Sequence, residues 1–333
     1  MSGTVLALSG GVGGAKLALG LSRVLAPGTL TVVANTGDDF RHLGLAVSPD
    51  VDTLVYTLAG LADPQRGWGR RDESWHFMDA LESLGGETWF RIGDADLAMH
   101  VERTHRLAAG HTLGQVTHAV VSRLGIAARI VPMSDDAVAT RLRTDDGWLD
   151  FQDYFVRRRC APAVRAVAYA GADIARPAEA LREGLAGASL RAVIVCPSNP
   201  LLSVEPMLAL PGVRDALAAC PAPVVAVSPV IAGQAVKGPT VKLMRDLGLP
   251  ASAAGVARRY AGLIDALLVD AADAEAVAEV GIEPVIARIL MDDLEQREAL
   301  ARTVLATAAQ LATLPVAERL ATRTAAGRHG ARP

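Results

Sequence analysis

Thr4-Val5-Leu6-Ala7-Leu8-Ser9-Gly10-Gly11-Val12-Gly13-Gly14-Ala15-Lys16 is the stretch that decides the fold. Residues 4–8 form a short apolar run, and residues 17–25 carry apolar side chains at helical spacing. The pattern reads as strand, glycine turn, helix. A second apolar run at 30–34 leads into Asn35-Thr36-Gly37-Asp38-Asp39, and Ser48-Pro49-Asp50-Val51-Asp52-Thr53 follows. A glycine turn ahead of a helix N-terminus offers backbone N–H groups to a phosphate. Aspartates just past the ends of neighbouring strands are placed to hold a divalent cation.

The rhythm returns later in the chain. Strand signals at 192–196, 223–227, 266–269 and 284–289 alternate with helical patterns at 204–219, 238–247 and 251–263. Such alternation predicts a parallel sheet with right-handed crossovers. The expected class is α/β, a Rossmann-like, mostly parallel sheet flanked by helices. Residues 60–125 read as mostly helical and 127–170 as short strands, with Asp145-Asp146-Gly147 as a hairpin turn. The expected organisation is a nucleotide-binding core from 1–60 and 170–315. An inserted helical and small antiparallel β subdomain over 60–170 caps the active site, and 316–333 is expected to be a disordered tail.

Composition narrows the function. Of 333 residues, 51% are apolar, enough for a full core, and the formal charge of −3 gives no reason to expect a nucleic-acid partner. Cys160, Cys196 and Cys220 make no metal-ligand pair and read as buried thiols of a reducing cytoplasm. No stretch looks like a signal peptide or a membrane span, so a cytoplasmic protein is expected.

The glycine turn matches neither a Walker A loop, since no Ser or Thr follows Lys16, nor a full dinucleotide fingerprint, whose third glycine position Lys16 takes. Gly10, Gly11, Gly13 and Gly14 still allow a sharp turn and close approach to a ligand. For Asp38, Asp39, Asp50 and Asp52 two readings stay open: a magnesium site made of oxygen ligands, or, for Asp50 or Asp52, capping of the helix that carries Thr53 to Leu58. Trp89-Phe90-Arg91-Ile92-Gly93-Asp94 reads either as a surface turn with core aromatics or as the wall of a flat heteroaromatic site. Strand-end turns at Pro197-Ser198-Asn199-Pro200 and Val227-Ser228-Pro229 offer donors to a phosphate or a base. Lys237 adds a cation near a helix start. The histidines make no metal or catalytic pattern, and no nucleophile elbow is present.

Taken in order, these motifs resemble the 2-phospho-L-lactate transferase family of coenzyme F420 biosynthesis. The likeness runs from about residue 5 to 295. It includes the glycine turn through Lys16, the two acidic segments, Gly67-Trp68-Gly69, Gly93-Asp94-Ala95-Asp96-Leu97-Ala98, Pro132-Met133-Ser134-Asp135-Asp136, Phe151-Gln152, both strand-end turns and Leu290-Met291. The resemblance implies a magnesium-dependent transferase. Its donor is a guanosine diphosphate-linked three-carbon acid in a lactyl, enolpyruvyl or glyceryl form. Its acceptor is the ribityl hydroxyl of the deazaflavin 7,8-didemethyl-8-hydroxy-5-deazariboflavin (FO), and GMP leaves. The family also implies a homodimer.

By position, the nucleotide falls to Gly10, Gly11, Gly13, Gly14, Lys16, Asn35, Ser198, Asn199, Ser228 and Pro229, and the metal to Asp38, Asp50 and Asp52. Asp50 and Asp52 are the catalytic candidates. Asp52 and Arg91 meet the deazaflavin in the family, and Trp68, Trp89 and Phe90 are candidates for the surroundings of its ring. Two other readings compete: a nucleotide-sugar-binding regulator of related fold, and a nicotinamide-dependent oxidoreductase suggested by the glycine turn alone. The latter lacks the ribose-binding acid in its usual place.

Overall fold

The computed structural model describes residues 3–330. Seven parallel strands make one sheet: β1 (Thr4–Ser9), β2 (Leu30–Ala34), β3 (Arg129–Pro132), β4 (Leu190–Val195), β5 (Val224–Val227), β6 (Ala266–Val269) and β7 (Glu283–Ile286). Their order is β7-β6-β5-β4-β1-β2-β3. The chain starts in the centre, grows outward through β2 and β3, then returns to the other side of β1. Val5 is therefore paired with Leu30 on one side and Ala192 on the other. Where the direction of growth reverses, between β1 and β4, the loops at the strand carboxyl ends part and leave a crevice for a ligand.

The central strands read as unbroken apolar runs because both their faces are covered. Leu6 and Leu8 of β1 join Val193 and Val195 in a core with Leu181, Met207 and Tyr260. Val5 and Ala7 point the opposite way, into a core with Leu17, Leu21, Leu54, Leu300 and Val304. Helices α1 (Gly11–Val24), α2 (Pro49–Leu58) and a late helix, Leu294–Leu311, build that second layer. Gly20 lets α1 lie close against this late helix, since a Cβ there would collide with the Arg297 carbonyl.

Three expectations need correction. Strand β3 falls inside the presumed 60–170 insertion yet pairs with β2 at the edge of the main sheet, through Val32 opposite Ile130. The cap is thus interrupted by the core. It consists of the helices His76–Ser83, α3 (Asp94–Ala108) and Leu113–Arg123, and an antiparallel sheet of Ala139–Thr144, Gly147–Asp150 and Ala166–Ala170. The pattern at 204–219 is broken at Pro211-Gly212, where Gly212 takes a φ of +72°, into Glu205–Leu208 and Val213–Ala218. The tail is helical over Val316–Gly330 rather than disordered. Arg323, 1% exposed, locks it down by pairing with Asp265 and donating to the carbonyls of Leu217, Ala218 and Cys220. Residues 331–333 of that expectation lie outside the described residues. Among the described residues, no single helix is long and apolar enough to cross a membrane.

Candidate active site

The crevice at the switch point opens into a cleft of about 690 Å³. Its floor is the glycine turn. Gly11 takes a φ of +65°, which turns the chain sharply from β1 into α1. A Cβ on Gly10 would come within 2.5 Å of Asp50 Oδ2, and one on Gly13 within 2.6 Å of the Pro197 carbonyl. The glycines thus let the acidic segment and the turn after β4 close on the start of α1. Gly14 faces Ser9 and Ser198 inside this packing rather than the cleft.

The rim hydroxyls are largely occupied in shaping that floor. Ser198 Oγ accepts from the Gly10 N–H at 3.0 Å and donates to the Gly10 carbonyl at 2.7 Å. Ser228 Oγ accepts from the Val230 N–H at 3.1 Å and donates to its carbonyl at 2.8 Å, holding the Pro229 turn. Asn199 Oδ1 accepts from the N–H groups of Leu201 and Leu202, whereas its buried Nδ2 has no hydrogen-bond partner among the described residues. Lys16 lines the cleft with its Nζ 2.8 Å from the Met291 carbonyl, and burial lowers its pKa. Lys237 also lines the cleft and donates to the Gly67 carbonyl at 2.8 Å.

Asp38, Asp50 and Asp52 are all buried and all line the cleft. Their environments differ. Asp50 Oδ1 accepts from the Gly11 N–H at 2.6 Å, and Oδ2 from Asn35 Nδ2 at 2.9 Å. The same nitrogen lies 3.3 Å from Asp38 Oδ1. Neither Asp38 nor Asp50 forms an ion pair among the described residues. Burial, reinforced by the charge of Asp50, pushes the Asp38 carboxyl well above the usual carboxylate range. Burial lifts Asp50 to about 6 against the hydrogen bonds from Asn35 and Gly11. Asp39 accepts instead from Ser48 Oγ at 2.7 Å and is not part of the cleft lining. The capping reading does not describe Asp50, whose bonds go to Gly11 and Asn35, and the residue in the cap position of α2 is Ser48.

Asp52 already has its counter-ion. Arg103 grips both carboxylate oxygens, with Nη2 on Oδ1 and Nη1 3.1 Å from Oδ2. His100 Nδ1 lies 3.7 Å from Asp52 Oδ2, and its Nε2 lies 3.3 Å from Asp96 Oδ2. Tyr56 OH donates to Asp96 Oδ1 at 2.5 Å. Sequence reasoning singled out Asp52 but missed the partners buried around it. The available signal was spacing: Asp52 and Tyr56 are four apart on α2, and Asp96, His100 and Arg103 share one face of α3.

The far wall of the cleft is aromatic. Trp68, Trp89, Phe90 and Arg91 all line it. Trp68 is 47% exposed and meets Trp75 edge-on at 6.5 Å. The Arg91 guanidinium stacks on Trp75 at 4.2 Å, and that of Arg157 on Trp89 at 4.5 Å. Trp89 and Phe90 pack with Phe40 and His42. Phe151 and Phe155, which the sequence did not single out as ring partners, stack at 5.3 Å and line the same space. One cleft therefore joins a glycine turn, two unneutralised acids, a neutralised acid and an aromatic wall. Among the described residues no group of three or more His, Cys, Asp or Glu side chains forms a metal site on its own. A cation at Asp38 and Asp50 would need further oxygens from substrate or water, the usual arrangement for magnesium.

Comparison with known proteins gives the chain its relatives. The family model for "2-phospho-L-lactate transferase CofD" matches residues 5–308. A phosphoenolpyruvate transferase of Kitasatospora aureofaciens is 43% identical over 317 residues, covering 92% of this chain and 98% of that protein. Proteins of the same description from Streptomyces coelicolor and Thermobifida fusca are 39% and 38% identical, each over 92% of this chain and 98% of the relative. Among solved structures, a UPF0052 family member from Bacillus halodurans superposes with a TM-score of 0.59 at 14% identity, over 92% of this chain and 99% of that one. That last likeness concerns the fold alone.

Proposed function

The chain belongs to the 2-phospho-L-lactate transferase CofD family, transferases of coenzyme F420 biosynthesis, and from that premise we propose its donor, acceptor and metal. The donor is an enolpyruvyl diphosphoguanosine and the acceptor is the deazaflavin FO. The ribityl hydroxyl oxygen bonds to the acid-bearing phosphorus, the bridging P–O bond breaks, GMP leaves with that oxygen, and the hydroxyl proton departs through Asp52 to solvent. The choice of enolpyruvyl over lactyl or glyceryl rests on relatives 37–43% identical that carry the description phosphoenolpyruvate transferase.

One observation carries the site assignment: Asp38 and Asp50 lie buried, with no counter-ion among the described residues, in a cleft that also holds the glycine turn and Trp68. Carboxylates in that state favour a cation. Magnesium, when bound, would offset the charge of the diphosphate as the bridging bond breaks. The chain's own part is positioning. Lys16 and the start of α1 face the diphosphate, and Asn199 Nδ2, without a hydrogen-bond partner among the described residues, supplies a further donor. Asp52, on the same helix as Asp50 but already paired, faces the acceptor hydroxyl. Arg91, Trp68 and Trp89 flank the tricyclic ring.

The test is a donor panel. Purified protein with magnesium and FO receives each of the three donors, and GMP and product mass are read. Turnover with the enolpyruvyl donor above the other two is expected. GMP release with none of the three would overturn the reading.

A further inference from the structure

We propose that Arg103 is the positioning residue that commits Asp52 to the acceptor hydroxyl and keeps it from the cation, a role that rests on the transferase reading above. Arg103 is 2% exposed and does not line the cleft, whereas Asp52, Tyr56, Asp96 and His100 do. It stands directly behind Asp52 and takes both carboxylate oxygens in a forked grip. A planar guanidinium bonded through two nitrogens fixes the plane of the carboxylate as well as its place. The same Nη1 donates to the Ala46 carbonyl at 3.2 Å and lies 3.3 Å from His100 Nδ1. Arg103 thereby ties α3 to α2 and to the segment entering α2. Thr104 adds a second tie by accepting from the Ala46 N–H at 2.7 Å.

The consequence is a division of labour among three acids of similar burial. Asp38 and Asp50 share one amide nitrogen and pair with no cation among the described residues. Asp52, two residues on from Asp50, has its charge balanced and its rotation fixed. A divalent ion gains most from the unbalanced pair, so Asp52 keeps an oxygen edge for a hydroxyl. Without Arg103, Asp52 would be a third unbalanced carboxylate, free to turn.

A double-mutant cycle tests this with Arg103→Ala, Asp52→Asn and the combined variant, with Arg103→Lys alongside. Folding is checked by circular dichroism, and kcat and both KM values are measured. In Arg103→Ala, kcat should fall by about 100-fold while the donor KM stays within about twofold, and added guanidinium should restore part of the loss. The combined variant should be no slower than Asp52→Asn alone, because a residue acting through Asp52 has nothing left to position. Arg103→Lys keeps the charge but not the fork. It should fold and lose at least about tenfold in kcat, which keeps the proposal open to refutation if the alanine variant unfolds. Losses that add independently, or an Arg103→Lys enzyme with wild-type kcat, would overturn the role of Arg103 while leaving the transferase reading intact. A wild-type enzyme that turns over no donor would instead overturn the transferase reading and this role with it.

Discussion

The backbone N–H of Gly11 donates to Asp50 Oδ1 at 2.6 Å. The glycine turn and the acidic segment are therefore one structure. This bond has a cost for anion binding. The first N–H of α1, which in many helices meets a phosphate, here meets a carboxylate. A diphosphate at the turn would lie beside two acids, Asp50 and Asp38, neither of which has a side-chain cation paired to it among the described residues. The proposed magnesium would offset that crowding of charge.

Magnesium should therefore raise the melting temperature, and its effect should depend on pH. Burial holds the Asp50 carboxyl near 6 rather than at its ordinary 3.8. Between those values the folded, metal-free protein keeps a proton that the unfolded chain releases, so this group's contribution to stability falls as pH rises. The cation competes with that proton. Differential scanning fluorimetry should show a larger magnesium shift at pH 8 than at pH 5.5. A shift independent of pH would remove Asp50 from the cation site.

Asp38→Asn should stabilise the metal-free protein and abolish the magnesium response. Burial first, and the charges of Asp50 and Asp39 next, disfavour the ionised Asp38 side chain. The neutral amide removes that repulsion in place, worth roughly 0.5–2 kcal/mol, the usual size of a stabilising single substitution. Urea unfolding at pH 8 measures the first effect and calorimetry with magnesium the second. A destabilised variant would mean that the carboxylate contributes to folding rather than to ligand binding.

Gly13→Ala should damage both stability and donor binding. Its Cβ would come within 2.6 Å of the Pro197 carbonyl, a backbone atom that cannot swing away. The turn after β4 would have to shift, costing about 1–3 kcal/mol. Donor KM should rise and acceptor KM should change little. An unaltered melting temperature would contradict the close approach.

Arg91→Ala should weaken FO binding more than GDP binding. Its guanidinium rests on Trp75 at 4.2 Å on the aromatic side of the cleft. Loss of one cationic stacking and hydrogen-bonding group corresponds to on the order of tenfold in affinity. Calorimetry with each ligand separates the outcomes, and equal losses would argue against its assigned place.

What could be read beforehand follows the range of the interactions involved. Strands β1, β2 and β4 were legible because burial on both faces leaves continuous apolar runs. The Gly10 to Gly14 turn was legible because its residues are contiguous. Membership of β3 in the main sheet was not, since nothing in Arg129–Pro132 records its pairing with β2 a hundred residues earlier. The ordered tail was hidden for the same reason: Arg323 looks like a solvated tail residue until Asp265 closes on it. Within the site, the acids were visible as a group but their separate roles were not. Arg103, some fifty residues away, distinguishes Asp52 from Asp38 and Asp50.

The most direct measurement is a crystal of the protein grown with GDP and manganese in place of magnesium, with anomalous scattering locating the ion. One peak bound by oxygens of Asp38, Asp50 and the diphosphate is expected, with Asp52 still gripped by Arg103. A peak on Asp52, or a diphosphate lying away from the turn at Gly10 to Gly14, would contradict it.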